Sequence, residues 1–303
     1  MIRVLVTGGL GFIGSRLCHA LLREGAQVRC VDDLSGTYAE ATAGPVAASA
    51  LAAGGAEVIV GGASPEHVHG MDAVVHLAAL PGVRAGHSPG ALRGANVELT
   101  DRLARAAAAR SARFVFVSSS SAYGDAAELP TPEHATLAPL NPYAASKVAA
   151  EAAVLAHGGD PVVVRPFTVY GPGQRPDMAF ARWMEALAAG ERLPWHAPTG
   201  TARDFTYVDD VASGIVAALR RGRTGRAYNL SGWRPVAVRD ALALLAAGRE
   251  PRLVHLPSST AEARVTHGCG RRAADELGYA PRVELADGLR RQRATASPRR
   301  LAA

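Results

Sequence analysis

Thr7-Gly8-Gly9-Leu10-Gly11-Phe12-Ile13-Gly14 follows the apolar run Arg3 to Thr7 and opens the helix-like stretch Gly14 to Glu24. Strand, glycine turn and amphipathic helix in that order are the first unit of a dinucleotide-binding fold. Glycines at 8, 11 and 14 allow a tight turn, close approach of the backbone to a pyrophosphate, and close packing of helix on strand. The helix N-terminus adds unpaired N–H groups and partial positive charge. Asp32 and Asp33 end the second strand, 18 and 19 residues after Gly14. A carboxylate there accepts from both ribose hydroxyls and repels a 2′-phosphate, so the expected cofactor is NAD rather than NADP.

Working outward, the same alternation repeats. Apolar, β-branched runs stand at Arg3 to Thr7, Gln27 to Val31, Glu57 to Val60, Ala73 to Leu77, Arg113 to Ser118 and Pro161 to Arg165. Helix-like segments lie at Gly14 to Glu24, Glu98 to Arg110 and Tyr143 to His157. Continuously apolar strands separated by helices predict a parallel sheet covered on both faces, that is, a doubly wound α/β (Rossmann) domain. After Pro166 the pattern loosens among Pro172, Pro176, Pro194 and Pro198, with one helix-like stretch, Phe180 to Ala189. Asp204 to Leu219 and Ala227 to Leu230 are expected to return to the main sheet. A helix at Arg239 to Ala247, a strand near Arg252 to His255 and the segment Arg271 to Gly278 follow. The expected organisation is a dinucleotide domain of residues 1–165 plus about 204–230, and a smaller, discontinuous C-terminal α/β substrate lobe of about 166–203 and 231–303, with substrate in the cleft between them.

The 303 residues weigh 31.4 kDa, with 48% apolar and 20% charged residues, enough for a packed core and unlike a disordered or collagenous chain. No run approaches the ~18 uninterrupted apolar residues of a membrane span. Met1 leads straight into Ile2-Arg3-Val4-Leu5-Val6 rather than into a signal peptide, so a soluble, cytoplasmic chain with no membrane partner is expected. Cys18, Cys30 and Cys269 are widely spaced, outside any CxxC or His/Cys cluster, so neither a disulfide framework nor a metal site is expected. The net charge of +6 suggests nucleic acid, but Arg290, Arg291, Arg293, Arg299 and Arg300 crowd an acid-free C-terminus; without them 28 basic residues face 27 acidic ones. The excess is read as a solvated tail, and no nucleic-acid partner is expected. Of the 33 basic residues, Lys147 is the single lysine, which suggests a place where guanidinium cannot replace a compact ammonium.

Ser118-Ser119-Ser120-Ser121 closes the strand Phe114 to Val117 and puts hydroxyls at the carboxyl edge of the sheet, where doubly wound folds bind ligands. Downstream stands Asn141-Pro142-Tyr143-Ala144-Ala145-Ser146-Lys147. On a helix beginning near Pro142, Tyr143 and Lys147 are four apart and share one face. A phenol is a poor base at neutral pH, but a neighbouring ammonium stabilises its phenolate and is expected to lower its pKa. Tyr143 is then a candidate proton acceptor and donor for a sugar or alcohol hydroxyl.

The segments TGGLGFIGS, VDDLSG, HLAALPGVR, SSSSAYG, YAASK, RPFTVYGPGQRPDM and RDFTYVDD, in this order over nearly the whole chain, resemble the extended short-chain dehydrogenase/reductase family, in the branch acting on nucleotide sugars. The resemblance implies an NAD-binding Rossmann domain and a small C-terminal lobe gripping a nucleoside diphosphate. It places NAD against Gly8, Gly11, Phe12, Ile13, Gly14, Asp32, Asp33, Leu77, Ala78, Ala79, Val117, Tyr143, Lys147 and Pro166. Ser119, four residues before Tyr123 of the Tyr123-Gly124 pair, matches the family's catalytic Ser/Thr; Tyr143 matches its acid/base and Lys147 the partner of that tyrosine. Substrate is expected against Val83, Arg84, Ser119, Ser120, Thr168, Arg175, Met178 and His196, with Arg203 on the pyrophosphate. A homodimer formed through Glu98 to Arg110 and Tyr143 to His157 is also implied.

In every branch of that family the tyrosine removes a proton from the sugar O4 while C4 gives hydride to NAD. Dehydratases then use Asp-Glu after the catalytic Thr, and decarboxylases a Glu at the second of those positions; here the two are Ser120 and Ser121. Serine supplies no carboxyl acid or base for elimination. The expected activity is therefore C4 epimerisation of a UDP- or dTDP-hexose of UDP-glucose/galactose or UDP-glucuronate type, Arg175 or Arg84 being available to a C6 carboxylate. The alternatives are a dehydratase or decarboxylase sharing the first oxidation, or a 4-ketoreductase. The chain departs from its relatives at Gly62, where an Asp commonly holds adenine, and at His196, where an aromatic ring often meets the base. It also has Thr168 for an Asn and Ser259 near the place of a late pyrophosphate arginine.

Overall fold

β1 (Arg3–Thr7), α1 (Phe12–Arg23), β2 (Gln27–Asp32), α2 (Gly44–Ala53), β3 (Glu57–Val60), β4 (Ala73–His76), the short α3 (Pro89–Leu92), α4 (Leu99–Ala108), β5 (Arg113–Val117), α5 (Pro142–Ala156) and β6 (Asp160–Pro166) follow one another along the first half. The second half adds β7 (Val169–Tyr170), α6 (Ala179–Ala189), β8 (Leu193–Trp195), β9 (Ala202–Asp204), β10 (Thr206–Tyr207), α7 (Val208–Arg221), β11 (Arg226–Leu230), β12 (Pro235–Ala237), α8 (Val238–Ala246), β13 (Leu253–His255) and α9 (Leu285–Thr295). This computed structural model describes residues 1–35, 44–82, 86–257 and 260–295. The six strands and three helices expected in the first half are all present, with ends at most two residues from those read in the sequence.

Seven strands form one parallel sheet in the order β11-β6-β5-β4-β1-β2-β3. The chain leaves β1 toward β2 and β3, then returns on the other side of β1 as β4. The carboxyl ends of β1 and β4 therefore mark the switch point where such sheets hold ligands. Register pairs Val4 with Val28 on one side and with Ala73 on the other, which puts Thr7 beside His76. Alternation along the strands supplies two cores. Val4, Val6 and Val75 pack with Leu17 and Leu21 of α1 and Ile215 of α7. Leu5, Val74 and Phe114 pack with Leu103 of α4 and Val154 of α5 on the opposite face. β11 returns to the sheet as expected, whereas the stretch from Asp204 divides between a short β9 end, β10 and α7.

A third cluster, built on Tyr170, Phe180, Trp183, Trp195, Leu242 and Leu289, lies among the two-stranded pairs β10-β7, β12-β9 and β13-β8. Leu289 belongs to α9, so the reading of the C-terminus as a solvated tail is corrected for residues 285–295. Gln292 is buried; its Oε1 accepts from Gly171 N at 3.1 Å and its amide donates to Gln174 Oε1 at 2.9 Å. Arg290, Arg291 and Arg293 stay on the exposed side of that helix. Their run of like charge masked the stripe that docks. Arg299 and Arg300 lie outside the described residues. The weakly patterned α2, with only Gly44 and Leu51 buried, also went unread. No helix among the described residues is long and apolar enough to cross a membrane.

α9 docks through a position with no room for a side chain: a methyl on Gly288 would stand 2.3 Å from Tyr170 Oη. Gly288→Ala is expected to cost about 1–3 kcal/mol of stability, read as a lower urea midpoint with the circular dichroism spectrum retained.

Candidate active site

The glycine turn is held by its own backbone, Gly8 N donating to Val31 O at 2.9 Å and Gly11 N to Gly8 O at 3.2 Å. Gly8 has φ +72°, and a Cβ there would lie 2.7 Å from Ala78 N; a Cβ on Gly14 would lie 2.1 Å from Gly8 O. Both glycines are thus required by close approach. α1 starts at Gly11 with no side-chain cap and no acid in its first turn, which leaves amides for an external anion. Asp32 accepts from Leu10 N at 3.0 Å and from Leu34 N at 2.9 Å, while burial pushes its pKa up against those bonds. Asp33 is exposed and caps Ser35 N at 2.9 Å.

These residues open into a cleft of about 820 Å³ that is lined by every described residue expected to meet cofactor or substrate, while Gly62 and Tyr123 lie outside its lining. Gly8, Gly11, Phe12, Ile13, Gly14, Asp32, Asp33, Leu77, Ala78, Ala79, Val117, Tyr143, Lys147 and Pro166, expected at the cofactor, are in its lining. So are Ser119, Ser120, Thr168, Arg175, Met178, His196 and Arg203, expected at the substrate. Val83, Arg84 and Ser259 lie outside the described residues.

α5 begins where the sequence places it because Asn141 Oδ1 caps Ala144 N at 2.8 Å and Pro142 occupies the first turn. Lys147 is 3% exposed; its Nζ donates to Val117 O at 2.9 Å and stands 4.9 Å from the centre of the Phe116 ring. Burial lowers its pKa to about 8, with the Glu151 carboxylate opposing. The Ser119 hydroxyl favours the charged form of the Tyr143 phenol, and its Oγ accepts from Ser121 N at 3.2 Å and from Ser121 Oγ at 2.9 Å. The phenol differs from expectation. Burial pushes the Tyr143 pKa up, and the groups that pull it back are the Arg175 guanidinium and Ser119, not Lys147. The ammonium is turned to a backbone carbonyl, and desolvation of the phenolate outweighs the helical spacing.

Sequence reasoning missed the scaffold behind this pair. Thr100 Oγ1 donates to Asn96 O at 2.7 Å, so it accepts from His76 Nε2 at 2.9 Å, and His76 Nδ1 accepts from Thr7 Oγ1 at 2.6 Å. Burial, with the Lys147 charge second, lowers the His76 pKa to about 3 and keeps the ring neutral. Asn96 lies in the π-helical stretch Arg93–Glu98; its amide accepts from Leu80 N at 2.7 Å and donates to Ser146 Oγ at 2.9 Å. Ser146 in turn donates to Tyr143 O at 2.7 Å, tying the loop after β4 to the catalytic helix. The only signal available was an Asn inside an otherwise helical run, at a place where π-turns favour functional sites.

At the far end, Arg203 reaches Glu262 Oε2 at 3.3 Å and Arg264 O at 3.1 Å. Glu262 and Arg264 belong to a strap, residues 260–266, that also lines the cleft and went unread. Asn141 Nδ2 donates to Ala261 O at 2.9 Å, and Arg264 N to Asp125 Oδ1 at 2.6 Å, which hold the strap down. His196 contacts Pro257 O through Nδ1 at 3.2 Å beside the Trp183–Trp195 stack. Arg175 forms a two-point bond with Asp177, both at 2.9 Å. Among the described residues no group of His, Cys, Asp and Glu could hold a metal ion.

One buried polar side-chain atom among the described residues lacks a partner: Ser118 Oγ, on the wall of the cleft beside Ser119. Together with the uncapped α1 and the glycine cradle, it fits a bound dinucleotide.

A profile of the NAD-dependent epimerase/dehydratase family matches residues 4–231, and the chain belongs to that family. It is 32% identical to an uncharacterized UDP-glucose epimerase, YtcB, of Bacillus subtilis strain 168, over 95% of each chain. It is 34% identical to a dTDP-glucose 4,6-dehydratase of Streptomyces griseus, over 94% of this chain and 91% of that one. Among solved structures it is similar to the UDP-glucuronic acid 4-epimerase of Bacillus cereus in complex with UDP-glucuronic acid and NAD, with a TM-score of 0.91 and 31% identity over 97% of this chain and 98% of that one.

An unpaired buried hydroxyl is a cost until a ligand meets it. Ser118→Ala is expected to leave the ligand-free unfolding temperature unchanged or higher and to weaken NAD binding about five- to tenfold, read by calorimetric titration and thermal scans with and without NAD.

Proposed function

We propose that this chain is an NAD-dependent nucleotide-sugar 4-epimerase acting on a UDP- or dTDP-hexose through a transient 4-keto sugar. The observation that carries the reading is the meeting of Ser119, Tyr143 and Lys147 at the carboxyl edge of the sheet, with hydroxyls rather than carboxyls at 120 and 121. NAD held by the glycine turn, Asp32 and Ser118 would supply a reversible hydride acceptor for C4 of the sugar. Tyr143 takes the O4 proton, Ser119 hydrogen-bonds the same oxygen, the Arg175 guanidinium and Ser119 favour the phenolate, and the Lys147 ammonium serves a ribose of the cofactor. The keto sugar turns over in the cleft, and Tyr143 returns the proton once C4 has been reduced on its other face. Proton and hydride both come back, so product and substrate have equal mass and no reduced cofactor accumulates. The dehydratase alternative has support in the Streptomyces griseus relative, but elimination across C5 and C6 needs a carboxyl acid and base that Ser120 and Ser121 do not provide.

Within this reading Arg203 binds the pyrophosphate, displacing Glu262, and Arg175, beside Tyr143, meets C6 where that carbon is a carboxylate. Thr168, Met178 and His196 complete the sugar and base pocket. Residues 1–165 plus about 204–230 serve NAD, and about 166–203 and 231–303 the nucleotide sugar. A cytoplasmic homodimer through α4 and α5 belongs to the same proposal, and sedimentation of the purified chain tests it.

The decisive experiment incubates the protein and NAD with UDP-glucose, UDP-galactose, UDP-glucuronate and dTDP-glucose, and identifies products by NMR. A 4-epimer of equal mass is expected; release of water or carbon dioxide overturns the reading. Tyr143→Phe is expected to lower kcat by about 10²–10⁴-fold with NAD binding retained. Lys147 acts as an ammonium, which exists below its pKa, so kcat/KM is expected to fall as pH rises through about 8.

A further inference from the structure

Arg165 on β6 is 5% exposed, and its guanidinium joins parts of the fold far apart in sequence. Nε and Nη2 donate to the two oxygens of Glu151 at 3.0 and 2.6 Å. Nη1 donates to Tyr123 Oη at 2.7 Å and to Glu133 O at 3.0 Å. Tyr123 Oη donates onward to Asn229 Oδ1 at 2.8 Å. Tyr123 ends the 3₁₀ turn Ser120–Tyr123, which is capped by Ser119. Glu151, 3% exposed, stands one helical turn after Lys147 on α5. One buried cation therefore fixes both the serine turn and a carboxylate next to the single lysine.

We propose that Glu151, held in place by Arg165, is a positioning residue that keeps Lys147 in its ammonium form. The groups around that ammonium are few. Tyr143 and Glu151 flank it on α5, the Phe116 ring and Val117 carbonyl face it from β5, and His76 acts on it from β4. His76 is neutral, with both ring nitrogens bonded to threonines. β6 contributes the Arg165 cation, which is paired with Glu151. Among these, Glu151 is the one carboxylate, and it works against the burial that pulls the lysine pKa down. A buried ion pair is not in itself a source of net stability, so a role in setting the charge of a neighbour accounts for its presence better than cohesion does.

The inference rests on Lys147 serving the proposed reaction, but its central measurement needs no substrate, so its failure and that of the epimerase reading are separable. Because Lys147 is the only lysine, growth on [ε-¹³C]lysine gives a single side-chain resonance whose midpoint is the Lys147 titration. The midpoint is expected near 8 in the native protein and lower by about one unit in Glu151→Gln, a tenfold loss of ammonium at a given alkaline pH. Glu151→Gln leaves Arg165 without its counter-charge; the double variant Glu151→Gln/Arg165→Met removes both charges and is expected to fold, by circular dichroism, with a smaller downward shift, because the Arg165 cation no longer opposes the ammonium. Glu151→Asp keeps the carboxylate and is expected to restore most of the midpoint. The alkaline limb of kcat/KM should move with the resonance while KM for the sugar stays constant. A native midpoint in either folded Gln variant would show that the pair only braces β6 against α5, and the proposal would fall.

Discussion

A parallel sheet covered on both faces has one place for polar chemistry, the edge where its strands end. That constraint organises this molecule. Val4, Leu5, Val74, Val115 and Val163 are sealed between helices, each at most 1% exposed. The hydroxyls of Thr7 and Ser118 and the imidazole of His76 appear only as β1, β5 and β4 run out. The crossover that sends the chain from β3 to β4 opens the gap between those ends, and the glycine turn fits there because two of its residues have no room for a Cβ. The glycine turn and the start of α5 thus reach one cleft by topology before any side chain contributes.

At that edge, burial acts on Tyr143 and Lys147 in the same sense. It raises the phenol and lowers the amine, favouring the uncharged form of each. The opposing forces come from residues outside the Tyr-x-x-x-Lys spacing: Arg175 and Ser119 act on the phenol, Glu151 on the amine. The two-residue spacing puts both groups on one helix; the groups that oppose their burial sit on α5, in the loop before α6 and at the start of the serine turn.

The sheet was legible because its evidence is local. Each strand is an unbroken apolar run, and each early helix is bounded by a turn or a cap, as at Asn141-Pro142. The cleft residues were legible because glycine, tyrosine and lysine at fixed spacing carry a geometric requirement. What escaped depends on contacts distant in sequence: Asn96 to Ser146, Arg165 to Glu151 and Tyr123, and the strap of Glu262 and Arg264 over Arg203. Nothing in the neighbourhood of Glu262 marks it as the partner of an arginine 59 positions away. α9 escaped for another reason: charge dominated its composition while Gly288, Leu289 and the uncharged Gln292 did the docking.

Asn141 performs two tasks with one planar group. Its carbonyl oxygen starts α5 and its nitrogen holds the strap at Ala261. Serine, threonine, aspartate and asparagine ordinarily substitute for one another at a helix start. Here three of those four could begin the helix yet would lose the bond to Ala261, since none presents an amide N–H. A choice that most helix starts leave open is restricted by the second bond this side chain makes.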